Sequence, residues 1–121
     1  MDELSYLNEL FAEIEARRSA SPDASYSAQL LADLPRAANK LGEEAVETVT
    51  AVLTGSDEAV LAESADLIYH WMVVLAARGL TPLQVVETLA ARAGTSGLVE
   101  KAARQNNDGD GDGDGDGEGE G

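Results

Sequence analysis

Two short acidic segments carry the residues best able to do chemistry. Gly42-Glu43-Glu44-Ala45-Val46-Glu47 sets Glu44 and Glu47 three residues apart, and Glu63-Ser64-Ala65-Asp66 repeats that interval. On a helix this interval turns a side chain by about 60°, so each pair shares a face. If the segments lie on antiparallel helices joined near Gly55, Glu47 stands level with Glu63 and Glu44 with Asp66. Four carboxylates then face one another across a helix pair. Converging carboxylates repel, and burying them unpaired is costly. A divalent cation resolves both problems. All-oxygen ligation with open water positions suits Mg2+, with Mn2+ the alternative, and such an ion holds substrate phosphates. A solvated helix face is the plain alternative for Glu43, Glu44 and Glu47, and the mirrored second pair argues against it.

The elements that must position these residues read as helices almost throughout. Leu4, Leu7, Phe11 and Ile14 recur on one face and predict a first helix ending near Arg18. Residues 19–25 have turn chemistry, and a short helix is expected over residues 26–34. Pro35 suits the first position of a longer helix to about Leu53. Residues 54–57 connect to a helix capped by Ser56 or Asp57, which runs to Arg78 and stops at Gly79. Thr81-Pro82 starts a helix to about Arg92, and a last short helix is expected over residues 98–105. The fold class is therefore all-α. On the long second helix Glu63, Asp66 and His70 occupy one narrow polar stripe, while the rest of the circumference is mostly apolar. A surface helix has a broad polar face instead, so the stripe is expected to line a cleft. His70, one turn after Asp66, reads as a side chain bonded to Asp66 that orients it.

Composition narrows the function classes. The 121 residues carry a net charge of −15, but seven of the acids and seven glycines lie in residues 107–121. Residues 1–106 hold eight bases against sixteen acids, a net of −8. The chain is thus expected to be one all-α domain over residues 1–105 and a disordered Gly/Asp/Glu tail over 106–121. The tail is no EF-hand: every acid in it sits at an even position, so the Glu that must follow eleven residues after the first acid falls on Gly. The acidic balance speaks against nucleic-acid and anionic-membrane partners. No cysteine is present, which excludes disulfides, thiol catalysis and zinc-thiolate sites. The acidic start MDELSYLNEL is unlike a signal peptide, and Trp71 to Ala77 is a short apolar run for a bilayer span. A soluble, cytoplasmic protein is expected.

The motifs also resemble a known family. Lys40-Leu41-Gly42-Glu43-Glu44-Ala45-Val46-Glu47 and Glu63-Ser64-Ala65-Asp66-Leu67-Ile68-Tyr69-His70 are similar to the phosphoribosyl-ATP pyrophosphohydrolases of histidine biosynthesis. These belong to the all-α, MazG-like nucleoside triphosphate pyrophosphohydrolases, marked by EExxE followed by ExxD. Ile14-Glu15-Ala16-Arg17-Arg18, Ser25-Tyr26-Ser27, Ala76-Ala77-Arg78-Gly79 and Gly94-Thr95-Ser96-Gly97-Leu98 point to the phosphoribosyl-ATP branch. Gln29 departs from it, standing where a basic residue is expected.

The resemblance implies hydrolysis of phosphoribosyl-ATP to phosphoribosyl-AMP and pyrophosphate. It implies that Glu44, Glu47, Glu63 and Asp66 are the Mg2+ ligands, and that Glu43, with Glu44 and Glu47, belongs to the catalytic group, Glu43 orienting water or standing behind the ligands. Lys40 is the foremost candidate to bind substrate phosphate, followed by Arg17, Arg18, Lys101 and Arg104. The alternatives are a MazG-like enzyme for other nucleoside triphosphates and a non-enzymatic helical module. A homodimer is expected, because a long helix apolar around most of its surface needs more cover than this chain offers with only five aromatic residues. Two helical hairpins would then form a four-helix core.

Overall fold

The computed structural model describes residues 3–93 and residue 104. Its elements are α1 (Tyr6–Ala16), α2 (Tyr26–Leu31), α3 (Leu34–Thr54), α4 (Asp57–Arg78) and α5 (Pro82–Ala91), with 3-10 turns at Glu3–Ser5 and Arg17–Ser19. The fold is all-α, with no strand among the described residues. The chain divides into two compact units at Pro82, the first holding α1 to α4 and the second beginning at Leu83 within α5. The expected tail over 106–121 and the expected helix over 98–105 lie outside the described residues, apart from Arg104, which is helical and exposed.

Local chemistry explains where the helices begin and end. Ser25 Oγ accepts from the Ala28 amide at 3.0 Å and caps α2. Asp33 Oδ1 accepts from the Arg36 amide at 3.2 Å and caps α3, so this helix starts at Leu34 and Pro35 occupies its first turn. Of the two caps expected for α4, Ser56 serves: its Oγ accepts from the Ala59 amide at 3.1 Å. Asp57 and Glu58 occupy the first turn of α4 and Arg78 the last, as the helix dipole favours. Gly79 closes α4 in the left-handed region at φ 78, and Leu80 donates back to the Leu75 carbonyl at 2.8 Å. Short helix α2 ends at Leu31, three residues before the expected limit, because the capped start of α3 follows at once.

Helices α3 and α4 form an antiparallel hairpin. At its turn the helices come close: a Cβ on Gly55 would stand 3.0 Å from the Ala51 carbonyl and 3.3 Å from Ala59 Cβ. Glycine here permits the close approach rather than an unusual backbone angle. Midway along, Thr48 Oγ1 reaches the Glu44 carbonyl at 2.7 Å and the Glu63 carbonyl at 3.2 Å, which ties the register of the two helices.

The core lies toward the other end of α4. Ile14, Leu30, Ala37, Met72, Val73 and Ala76 are buried together, with Leu10, Phe11, Leu31, Tyr69, Trp71 and Val74 packed around them. Each large side chain fully buried there contributes about 1.5–3 kcal/mol. By length and apolar composition α4 is the one described helix able to cross a membrane, a property the run Trp71 to Ala77 alone did not disclose. A core helix passes the same test, and α4 carries the buried core residues Met72, Val73 and Ala76.

Gly79→Ala forces a side chain into the left-handed region and is expected to cost about 1 kcal/mol. Urea unfolding followed by circular dichroism measures this, and an unchanged midpoint would contradict the role given to that cap.

Candidate active site

The hairpin brings three of the four expected carboxylates together. Oxygens of Glu44 on α3 and of Glu63 and Asp66 on α4 all lie within 4.8 Å of one another. Glu44 is 8% exposed, Glu63 half-buried and Asp66 exposed, so the group forms a cleft that opens on the Asp66 side. Oε1 of Glu44 and Oε1 of Glu63 are both shielded from water without a hydrogen-bond partner. Buried carboxylate oxygens are almost always paired, so two orphans at one point are unusual.

Glu47 stands outside that group of three and is exposed. It nevertheless reaches Glu63. The Glu63 carboxyl is held above its ordinary pKa of 4.5, first by burial and then by hydrogen bonding to Glu47, with the charges of Glu47, Glu44 and Asp66 adding to the effect. The side chain as a whole is only half-buried, but its Oε1 is shut off from water, and this local desolvation is what counts.

The expected basic residues take separate places. Lys40, one turn before Glu44, pairs with the exposed Glu43 at 3.2 Å. That hydrogen bond is the main reason its ammonium is held above its ordinary value of 10.5, followed by the charges of Glu43, Tyr26 and Glu44. Such an exposed pair stabilises the fold very little and leaves Lys40 able to change partners. Arg17 is exposed in the 3-10 turn after α1. Arg18 donates to the Ala76 carbonyl in the last turns of α4 and to Glu15 Oε1 at 3.3 Å. Ala76 is ten residues beyond Asp66, about 15 Å along the helix axis. The Arg18 guanidinium is therefore engaged at the opposite end of α4 from the carboxylates. Arg104 is exposed, and Lys101 lies outside the described residues.

Sequence reasoning missed how α2 joins this site. His70, 6% exposed, presents Nδ1 to the Asp66 carbonyl at 2.8 Å, so its bond is to the main chain of Asp66 rather than to the carboxylate. Its Nε2 lies 3.1 Å from the Tyr26 hydroxyl. The hydroxyls of Ser27 and Tyr69 pair alongside. The motif Ser25-Tyr26-Ser27 was visible in the chain, but nothing in its spacing told which helix it would meet.

Comparison with known proteins places this all-α chain, with its acidic cleft, among hydrolases of the pyrophosphate bond. The family model described as phosphoribosyl-ATP pyrophosphohydrolase matches residues 7–93. A protein of Caulobacter vibrioides named phosphoribosyl-ATP pyrophosphatase is 54% identical over 98 residues, covering 81% of this chain and 92% of its own. Relatives of the same name from Erythrobacter litoralis and Parvibaculum lavamentivorans are 55% identical over 102 residues and 52% over 101. They cover 84% and 83% of this chain, and 98% and 93% of their own lengths. The chain belongs to the phosphoribosyl-ATP pyrophosphohydrolase family and is an enzyme.

The raised Glu63 pKa fixes the sign of a pH effect. A group whose pKa is higher folded than unfolded stabilises the fold fully below its unfolded pKa, and the contribution disappears as pH rises through the folded value. Without divalent cations, the protein is expected to lose this part of its stability as pH rises above 4.5 and through the raised value. Glu63→Gln, which keeps the uncharged form at every pH, removes that component. Urea midpoints of both proteins across the range, in chelator, test this; parallel curves would contradict it.

Proposed function

We propose that this protein hydrolyses phosphoribosyl-ATP to phosphoribosyl-AMP and pyrophosphate in L-histidine biosynthesis, with Mg2+ as its cofactor and Mn2+ as a substitute. The observation that carries the reading is the pair of orphaned, buried oxygens on Glu44 and Glu63 beside Asp66, in a chain whose relatives bear that enzyme's name. The donor set fits a small hard cation, because it is all oxygen, anionic and open on one side. Glu44, Glu63 and Asp66 would hold the ion, with Glu47 close enough to Glu63 to join them. When bound, the cation neutralises charge on the triphosphate and removes the mutual repulsion of the carboxylates.

The remaining roles fall to side chains around the cleft. Lys40 exchanges Glu43 for a substrate phosphate oxygen, a charge-assisted contact at the cleft's edge. Glu43, freed by that exchange, accepts a hydrogen bond from the attacking water and takes its proton as the oxygen bonds to phosphorus. The anhydride bond breaks, and pyrophosphate leaves with the bonding electron pair. Arg17, Lys101 and Arg104 are candidates for the outer phosphates, whereas Arg18 serves α4. The enzyme acts in the cytoplasm on a soluble nucleotide, with no nucleic acid or membrane as partner.

The protein also acts as a homodimer in this reading. Val46, Val49 and Leu53 recur on one stripe of α3 and are 66%, 57% and 76% exposed. On α4, Leu61 is 70% exposed and Ile68 39%. Packing these faces against a second copy would convert the hairpin into a four-helix core, the arrangement expected from the apolar character of α4. Residues 1–105 would then form one functional domain, with the acidic segment from 106 outside it.

Glu47→Gln and Asp66→Asn are expected to lower Mg2+-dependent turnover of phosphoribosyl-ATP by more than the roughly 10–100-fold that changes behind a ligand cost. Their helix content should match wild type. Near-wild-type turnover in both would end the metal assignment, and equal turnover of ordinary nucleoside triphosphates by wild type would end the substrate assignment.

Sedimentation equilibrium at micromolar concentration should report a dimer, and Val49→Glu combined with Leu53→Glu should yield monomer. A folded, fully active wild-type monomer would refute the association.

A further inference from the structure

Asp66 is the exposed member of the carboxylate group, yet its oxygen lies within 4.8 Å of oxygens on both Glu44 and Glu63. An exposed carboxylate on a helix ordinarily samples several rotamers, so something must bias this one toward the cleft. The neighbour best placed to do so is His70, one turn further along α4. Long side chains on a helix lean toward its N-terminus, so the imidazole lies over the turn that carries Asp66.

The imidazole itself is held by four contacts. A carbonyl oxygen can only accept, so Nδ1 carries the proton and donates it to the Asp66 carbonyl at 2.8 Å. The ring's other nitrogen, Nε2, pairs with the Tyr26 hydroxyl at 3.1 Å. Tyr26 and Tyr69 both meet the ring edge to face, at centroid separations of 5.9 Å and 5.0 Å. A half-turn of the ring would exchange nitrogen for carbon at both positions and lose both hydrogen bonds. A buried imidazole with one nitrogen unsatisfied would be costly, so the Asp66 carbonyl and the Tyr26 hydroxyl together fix this orientation.

Tyr26 belongs to α2, outside the hairpin that carries every carboxylate of the cleft. We infer that Tyr26 is a positioning residue for cation binding: through His70 it fixes the turn of α4 from which Asp66 enters the cleft. The inference rests on the proposed function, since it concerns the affinity of that cleft for a divalent ion. The adjacent tie between Ser27 and Tyr69 docks the same turn of α2 without touching either His70 nitrogen, and so provides a control.

The experiment titrates the full-length protein with Mn2+ and counts free ion by electron paramagnetic resonance, with thermal melting measured in chelator. Tyr26→Phe keeps the ring and removes only the hydroxyl. It is expected to weaken Mn2+ binding by about 10-fold, the lower end of the effect of losing an outer-shell partner. Turnover at saturating cation should stay close to wild type. Tyr69→Phe should lower the melting temperature and leave Mn2+ binding unchanged. Unchanged Mn2+ affinity in Tyr26→Phe, with wild type binding normally, overturns this inference alone. Equal weakening in both variants also overturns it, because the cause would then be the docking of α2 in general. Failure of wild type to bind Mn2+ overturns the cation reading, and this inference with it.

Discussion

Like charges at one point between two helices constrain everything else in this molecule. Glu44, Glu63 and Asp66 meet within 4.8 Å, and two of their oxygens are shut off from solvent without a hydrogen-bond partner. Nothing in that group favours folding, so the hairpin must be imposed from elsewhere. The turn at Gly55, the Ser56 cap and the Thr48 bridge fix how α3 and α4 align. The apolar packing of Met72, Val73 and Ala76 against Ile14, Leu30 and Ala37 supplies the favourable free energy. Register matters because a one-residue slip turns α4 by about 100° and carries Glu63 out of the cleft. Helix α4 is thus divided along its length: its first half bears the repulsion, and its second half holds the helix in place.

This division accounts for the connections that look ornamental by themselves. Arg18 caps the carbonyl of Ala76, and Leu80 closes back on Leu75, so the end of α4 away from the carboxylates is secured by polar as well as apolar contacts. Tyr26 and Ser27 grip His70 and Tyr69 between the two halves, directly after the acidic turn. Buried polar groups are worth little to stability even when satisfied, but they discriminate between packings in a way that leucine does not.

Much of this plan was legible in the chain. Equal three-residue intervals on either side of Gly55 placed Glu44 level with Asp66, and the structure brings them together with Glu63. Glu47 was expected in the same group but is exposed and stands beside it, reaching Glu63, because a helix wheel gives directions and not the reach of a charged side chain among like charges. The start of α3 was placed at Pro35, although Asp33 two residues earlier has the side chain that caps the first turn. The role of Arg18 was not readable: its partner is a main-chain carbonyl, which leaves no mark on residue type. Nor was the partner of Tyr26, since the six residues of α2 are too few for periodicity to fix the direction of a face.

Electrostatics ties the architecture to the proposed chemistry. Glu44, Glu63 and Asp66 meet between two helices, with Glu47 reaching Glu63 and Lys40 paired to Glu43 one turn before Glu44, within a chain of net charge −15. An approaching polyphosphate would be repelled by such a surface, and electrostatic steering would slow its arrival rather than hasten it. A site built to bind an anion by itself would carry arginines; this one carries acids and few bases. The arrangement becomes favourable only when positive charge is added between the carboxylates and the phosphates. On the proposed function, then, cation and nucleotide recognition are one event: carboxylates that oppose folding and repel the substrate are the same groups that, once neutralised, hold it.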